Sequence, residues 1–163
     1  MLTTESTIRQ SDANMYTKTF DQLTKEELYA LLKLRQQVFI VEQNSIYNDL
    51  DDCDQEAIHF LEHDPQDRLI AYARYRKISQ NDEVKIERVV LAEQARGLGL
   101  GKSLIVVMLK HIQGEYPDAK ITLSSQVDAG EFYQRLGFAE FGEVYDDGGI
   151  MHIGMVYQKG FMP

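Results

Sequence analysis

The sequence holds a single cysteine, Cys53, so it can close no internal disulfide and supplies no cysteine zinc site. Asp52 and Asp54 flank that thiol, and neighbouring carboxylates disfavour the thiolate a nucleophile needs. Cysteine catalysis is therefore not expected. Basic residues are in the minority: 17 Lys and Arg against 26 Asp and Glu leave a net charge of −9. That balance argues against binding to nucleic acid or to anionic membrane surfaces. It suits a cationic partner such as a polyamine, a lysine side chain or an amino sugar, and equally suits simple solubility. No apolar run approaches the ~18 residues of a membrane span. Four scattered histidines and an acidic run at 49–54 without EF-hand spacing lead us to expect no metal centre. Residues 1–14 are polar and aperiodic, which reads as a loose extension rather than a signal peptide. A reducing, cytoplasmic location is the default expectation.

Residues 15–163 read as one α+β domain. Met15–Phe20 suits a first strand. Thr24-Lys-Glu-Glu27 is a capping-box pattern ahead of Leu28, Leu31, Leu32, Arg35 and Phe39 at helical spacing. This predicts one long helix ending near 41–43. Residues 44–55 read as a polar surface loop. Strands are expected at 57–62, 69–76 and 84–91, with turns at 64–67 and 79–82, as an antiparallel meander. In the third of these, alternation places Val84, Ile86, Arg88 and Val90 on one side and Glu87, Val89 and Leu91 on the other.

The pattern then changes. Arg96-Gly-Leu-Gly-Leu-Gly-Lys102 opens a helix whose buried face is marked by Leu100, Leu104, Val107, Met108 and Ile112. A strand at 120–125 and a second capping-box pattern, Asp128-Ala-Gly-Glu131, lead into a short helix through Leu136. Two last strands at 138–145 and 151–157 are joined by Asp146-Asp-Gly-Gly149, a hairpin signature. The sum is a central mixed, largely antiparallel sheet with helices on both faces, an α/β/α sandwich.

The glycine-rich segment has a physical use. Glycines after a strand let the backbone approach a ligand, and the helix behind them adds partial positive charge, which together make a phosphate site. A dinucleotide fingerprint would need glycine at 102, which is lysine; a Walker loop would need glycine at 96, which is arginine. What fits without a gap is Arg-x-x-Gly-x-Gly over Arg96–Gly101. Here the sequence resembles the GNAT superfamily of N-acetyltransferases, from about Met15 to Tyr157.

The resemblance implies a set of roles. Val89, Val90 and Leu91 would pair with the pantetheine arm of acetyl-CoA. The loop of Arg96, Gly97, Leu98, Gly99, Leu100, Gly101, Lys102 and Ser103 would hold its pyrophosphate. Tyr133, in Phe132-Tyr-Gln-Arg-Leu-Gly-Phe138, would protonate the thiolate leaving group, and a backbone N–H at or near Val89 would meet the developing oxyanion. Glu87 on the strand before the loop is the expected base, directly or through water, with His59, His152 and Glu42 as other candidates and ordered water as the alternative to any side chain. Within the superfamily, Leu34–Gln43, His59–Leu61, Arg88–Val90, Ser125-Gln126 and Asp147–Met155 resemble the ElaA-like group. Glu42, Gln43, Asp52, Gln126 and His152 would then surround a small-molecule or peptide amine. Dimerisation through the late strands is an expectation by analogy alone. The alternatives left open are an acyl-CoA-binding sensor without turnover, an acyl-homoserine-lactone synthase, against which the missing tryptophan counts, and a P-loop nucleotide-binding protein.

Overall fold

A computed structural model describes residues 15–78 and 82–160. The expected extension at 1–14 and most of the turn at 79–82 lie outside them. Seven strands form one sheet: β1 (Met15–Thr19), β2 (Ile58–His63), β3 (Leu69–Ile78), β4 (Glu83–Leu91), β5 (Lys120–Gln126), β6 (Phe138–Asp147) and β7 (Ile150–Tyr157). Their order is β1-β2-β3-β4-β5-β7-β6. Every neighbouring pair is antiparallel except β4 and β5.

Helix α1 (Lys25–Arg35) covers one face, and α2 (Leu100–Glu115) with α3 (Gly130–Arg135) covers the other. The capping box of α1 forms as read, with the Glu27 N–H donating to Thr24 Oγ1 at 3.1 Å and the Thr24 N–H to Glu27 Oε2 at 2.9 Å. Such a cap contributes about 1 kcal/mol. The helix does not continue as α to its end: Gln36–Glu42 is a π-helix. There the Gln43 N–H reaches back five residues to the Val38 carbonyl, a local widening often found beside functional sites. The second capping box does not form. Val127–Ala129 is a 3-10 turn, so Asp128 lies inside it and α3 starts from Ala129 with no side-chain cap.

Two apolar layers sandwich the sheet. Leu31 and Leu34 of α1 and Val38 of the π-helix meet Leu61, Tyr72 and Val90. Leu104, Ile105, Met108, Leu109 and Ile112 of α2 meet Phe60, Ala71, Ala73, Ile86, Leu123, Ile153 and Met155. The buried stripe of α2 thus includes Ile105 and Leu109, while Val107 is only half-buried. Burying side chains of this size contributes roughly 1.5–3 kcal/mol each.

Strict alternation on β4 fails, and the failure builds the site. Glu87 faces Arg74 and Val90 faces Tyr72, so Arg88 and Val89 together oppose Ala73. Arg88 takes a left-handed φ of 58° to make this β-bulge. One extra residue inverts the side-chain parity beyond it. Val90 therefore joins the α1 layer, while Val89 and Leu91 pack with the α2 layer that holds Ile86.

Candidate active site

The bulge also ends the pairing of β4 with β5. The parallel ladder runs from Glu83↔Lys120 only to Ile86↔Leu123. Past that point β4 stays bonded to β3 and β5 to β7, so the two strands part. The edges facing the gap carry backbone groups that need partners. The gap is a cavity of about 650 Å³.

At one end of it lies the glycine-rich loop. Gly97 and Gly99 take left-handed φ angles of 79° and 78°, where a side chain would be strained. Gly99 is the N-cap of α2 and no side chain caps that helix. The N–H groups of its first turn, which have no intrahelical acceptor, therefore remain available. A Cβ on Gly101 would stand 3.3 Å from the Phe132 ring. This is a backbone cradle for an anion at a helix N-terminus, and the residues present fit a pyrophosphate. Arg96 lines it, held in a two-pronged ion pair with Glu42 at 2.5 and 2.9 Å. The Arg96 hydrogen bond and charge keep the Glu42 carboxyl below its ordinary range. Leu98 points outward at 71% exposure, and the exposed Ser103 spends its N–H on the Gly99 carbonyl. Neither lines the cavity, unlike the other loop residues and Val89–Leu91.

The two sides of the gap differ. Tyr133 belongs to the α2-side layer with Leu123, Phe138 and Ile153. It is 8% exposed, lines the cavity, and touches Phe132 and Phe138 edge-on. Burial raises its hydroxyl well above the ordinary tyrosine range, so it stays a proton donor at neutral pH.

The opposite side is polar. Gln126 Nε2 donates to Gln43 Oε1 at 3.0 Å, which ties β5 to the end of the π-helix. His152 is the β7 partner of Gln126 and the partner of Tyr145 on β6. Its ring stacks on Tyr145 with centroids 6.0 Å apart, and its Nδ1 lies 2.8 Å from the Ile150 carbonyl. Tyr145 is in turn hydrogen-bonded to Ser124. The β6–β7 turn uses Gly148 and Gly149 at φ 64° and 85°, the geometry of a two-residue hairpin loop. It closes on the loop after α1 through a bond from Ser45 Oγ to the Gly148 carbonyl. Glu42, Gln43, Gln126 and His152 thus share one cavity, whereas Asp52 does not line it.

Sequence reasoning missed Ser45, Tyr47, Ser124, Tyr145 and Asp147, which line the same cavity. The hairpin signature at 146–149 was a signal for the last two, and the resemblance over Asp147–Met155 a second one for Asp147. It also misread the acidic loop as a surface feature. Asp49, Asp51 and Asp54 are clamped by arginines: Arg35 to Asp49 and Asp54 at 2.8 Å each, Arg74 to Asp51 at 2.5 Å and Asp54 at 2.6 Å, and Arg88 to Asp49 at 2.9 Å. Arg35 and Arg74 are fully buried. Burial pushes the Asp54 carboxyl up, but hydrogen bonds and charge from Arg35 and Arg74 outweigh it and hold the group low.

Glu87, the expected base, belongs to this network. Its Oε2 accepts from Arg74 at 2.8 Å and Arg76 at 2.9 Å, and its Oε1 from Arg76 at 3.1 Å. Burial raises it, yet the two arginines win and hold it below the ordinary range. A carboxylate so engaged is a weak proton acceptor, which speaks against the expected role. His59 is likewise occupied: fully buried, it contacts the Tyr72 hydroxyl at 2.7 Å and the Asp54 carbonyl at 2.9 Å. His59 and His63 do stand four residues apart, but on a strand rather than a helix, and His63 packs edge-on against Tyr16. No group of residues placed to hold a metal ion occurs among the described residues, and no helix there is long and apolar enough to cross a membrane.

Comparison with known proteins agrees with this architecture. Residues 19–159 match the acetyltransferase (GNAT) domain family. The protein ElaA of Escherichia coli is 41% identical over 137 residues, which are 82% of this chain and 89% of ElaA. Its crystal structure superposes with a TM-score of 0.82 at 37% identity, covering 88% of this chain and 98% of ElaA. A crystal structure of an acyl-CoA N-acyltransferase from Pseudomonas aeruginosa gives the same TM-score at 36% identity and the same coverage. The UPF0039 protein sll0451 of Synechocystis is 32% identical over 148 residues, 90% of this chain and 96% of that protein. With the parted strands, the uncapped glycine turn and these relatives in view, the chain belongs to the GNAT acetyltransferase family and is similar to its ElaA-like members.

Proposed function

We propose that the chain is an acetyl-CoA-dependent N-acetyltransferase that acylates a primary amine by direct attack on the thioester. The observation that carries this reading is the gap between β4 and β5, with a helix N-terminus at one end, a buried phenol on one side and polar side chains on the other.

Acetyl-CoA supplies the activated carbonyl. Arg96, Gly97, Gly99, Leu100, Gly101 and Lys102 hold the pyrophosphate through backbone N–H groups and charge. The free edge of Val89–Leu91 accepts the pantetheine arm in the manner of an added strand, and an N–H at Val89 faces the developing oxyanion. Tyr133, kept neutral by its apolar surroundings, gives its proton to the departing sulfur. Glu42, Gln43, Gln126 and His152 receive the amine from the opposite side. Glu87 acts by fixing Arg74 and Arg76, not by taking a proton.

The test is thermal melting of the purified protein with acetyl-CoA, CoA and ATP–magnesium in parallel, followed by an amine screen with acetyl-CoA. A ligand at 100 times its Kd adds about 2.7 kcal/mol, so a clear upward shift with both CoA forms is expected, with turnover of at least one amine. A shift with no turnover across the screen would leave a CoA-binding sensor. No shift, or one with ATP alone, would overturn the reading.

A further inference from the structure

The expected base is locked between two arginines, and His59 is spent on Tyr72 and Asp54. His59 does not line the cavity; among the described residues that do, one imidazole is present, His152. The geometry points to His152 as the general base, its Nε2 taking a proton from the acceptor ammonium. This rests on the acyltransfer reading above.

Three observations converge on that nitrogen. First, the Ile150 carbonyl can only accept, so at 2.8 Å it requires Nδ1 to carry the hydrogen. The neutral ring then has its lone pair on Nε2, which has no hydrogen-bond partner among the described residues. Second, the ring is braced: Tyr145 stacks on it, and Ser124 of β5 holds the Tyr145 hydroxyl. Orientation of a histidine base through its other nitrogen is the usual means of fixing its tautomer. Third, strand parity separates base from acid. Ile153 and Met155 of β7 face the α2 layer with Tyr133, so His152 and Gly154 face the other side of the sheet. An amine entering from the His152 side meets the carbonyl in the gap while the sulfur departs toward Tyr133.

The step balances. His152 Nε2 removes one proton from the ammonium, and the freed lone pair forms the C–N bond as the C–S bond breaks. Tyr133 gives its proton to the sulfur, yielding the free thiol, and recovers one from the amide nitrogen. His152 releases its proton to water, so one proton leaves per amide formed.

Two measurements test this. Long-range 15N–1H correlation spectra of the full-length protein, with neutral His152 assigned through His152→Gln, should show Nδ1 protonated and Nε2 bare. The opposite tautomer overturns the proposal without reference to turnover. With an amine from the screen as probe, His152→Gln should lower kcat/KM by about 10²- to 10⁴-fold, while the melting shift with CoA stays as in wild type. Added imidazole should restore part of the rate. Unchanged kcat/KM in His152→Gln would remove His152 as base and leave the acyltransferase reading intact. Loss of the CoA shift in the variant would make the residue structural and also overturn the assignment. Absence of a CoA shift in wild type would overturn both.

Discussion

The two ends of the cavity are built by different means. The glycine-loop end, where we place the pyrophosphate, is local: six of the seven residues Arg96–Lys102 and one helix N-terminus supply it, mainly with backbone. The opposite end, where we place the acceptor, is assembled from distant parts of the chain: the π-helix after α1, the end of β5, and the β6–β7 hairpin. Behind its wall stands a buried ionic network tied to α1, β3 and β4. A local backbone site tolerates side-chain change except where glycine is needed. An assembled site depends on every strut that holds its parts in register.

Breaking the network should therefore do the most damage. Arg74→Met leaves Asp51, Asp54 and Glu87 short of a buried partner and should cost about 3–5 kcal/mol, read as a lower urea midpoint. Acid should act on the same struts. Asp51, Asp54 and Glu87 have depressed folded-state values, so their stabilisation is present above the unfolded carboxylate range near ~4 and fades as pH falls through their lower folded values. Burial also depresses His59, which adds a loss beginning as pH drops below about 6.5, where the unfolded histidine first takes up a proton. A urea midpoint flat from about pH 7 to 4 would contradict the histidine effect, and one flat from about pH 4 to 2 the carboxylate effect.

Tyr133→Phe separates chemistry from binding. It should lower kcat by roughly 10²-fold while the CoA-induced melting shift and the stability of the free protein hold, because the hydroxyl has no hydrogen-bond partner among the described residues. Gly99→Val should do the reverse. At φ 78° a β-branched residue costs about 1–2 kcal/mol, and it distorts the N–H cradle, so the CoA shift should vanish. An unchanged shift would take the pyrophosphate away from α2. The smallest effect is expected from Glu42→Gln, which removes an exposed pair worth about 0–1 kcal/mol. Stability should hardly move and CoA affinity should not fall, since Arg96 is freed; a marked loss of CoA affinity would show that Glu42 positions the loop.

Local signals were legible wherever the physics is local. The capping box at Thr24, the glycine turn at 97–101, the Gly148-Gly149 hairpin and the antiparallel meander can be read from neighbouring residues, because each depends on a few adjacent dihedrals and hydrogen bonds. Misreadings fell where a distant partner decides. Asp49, Asp51 and Asp54 look like solvated charge until Arg35, Arg74 and Arg88 arrive from elsewhere in the chain. Glu87 looks like a base until Arg74 and Arg76 take both its oxygens.

The order of elements, the glycine turn that opens α2 and the family resemblance were determined by the sequence alone, since propensity, capping and glycine geometry act within a few residues. Tertiary structure decided the rest. The bulge at Arg88 reversed the faces of β4 and opened the gap to β5, because only pairing with β3 reveals that two residues oppose one. It set Tyr133 and His152 on opposite sides of that gap, since a side chain's face depends on the strand's register in the sheet, which no local pattern records.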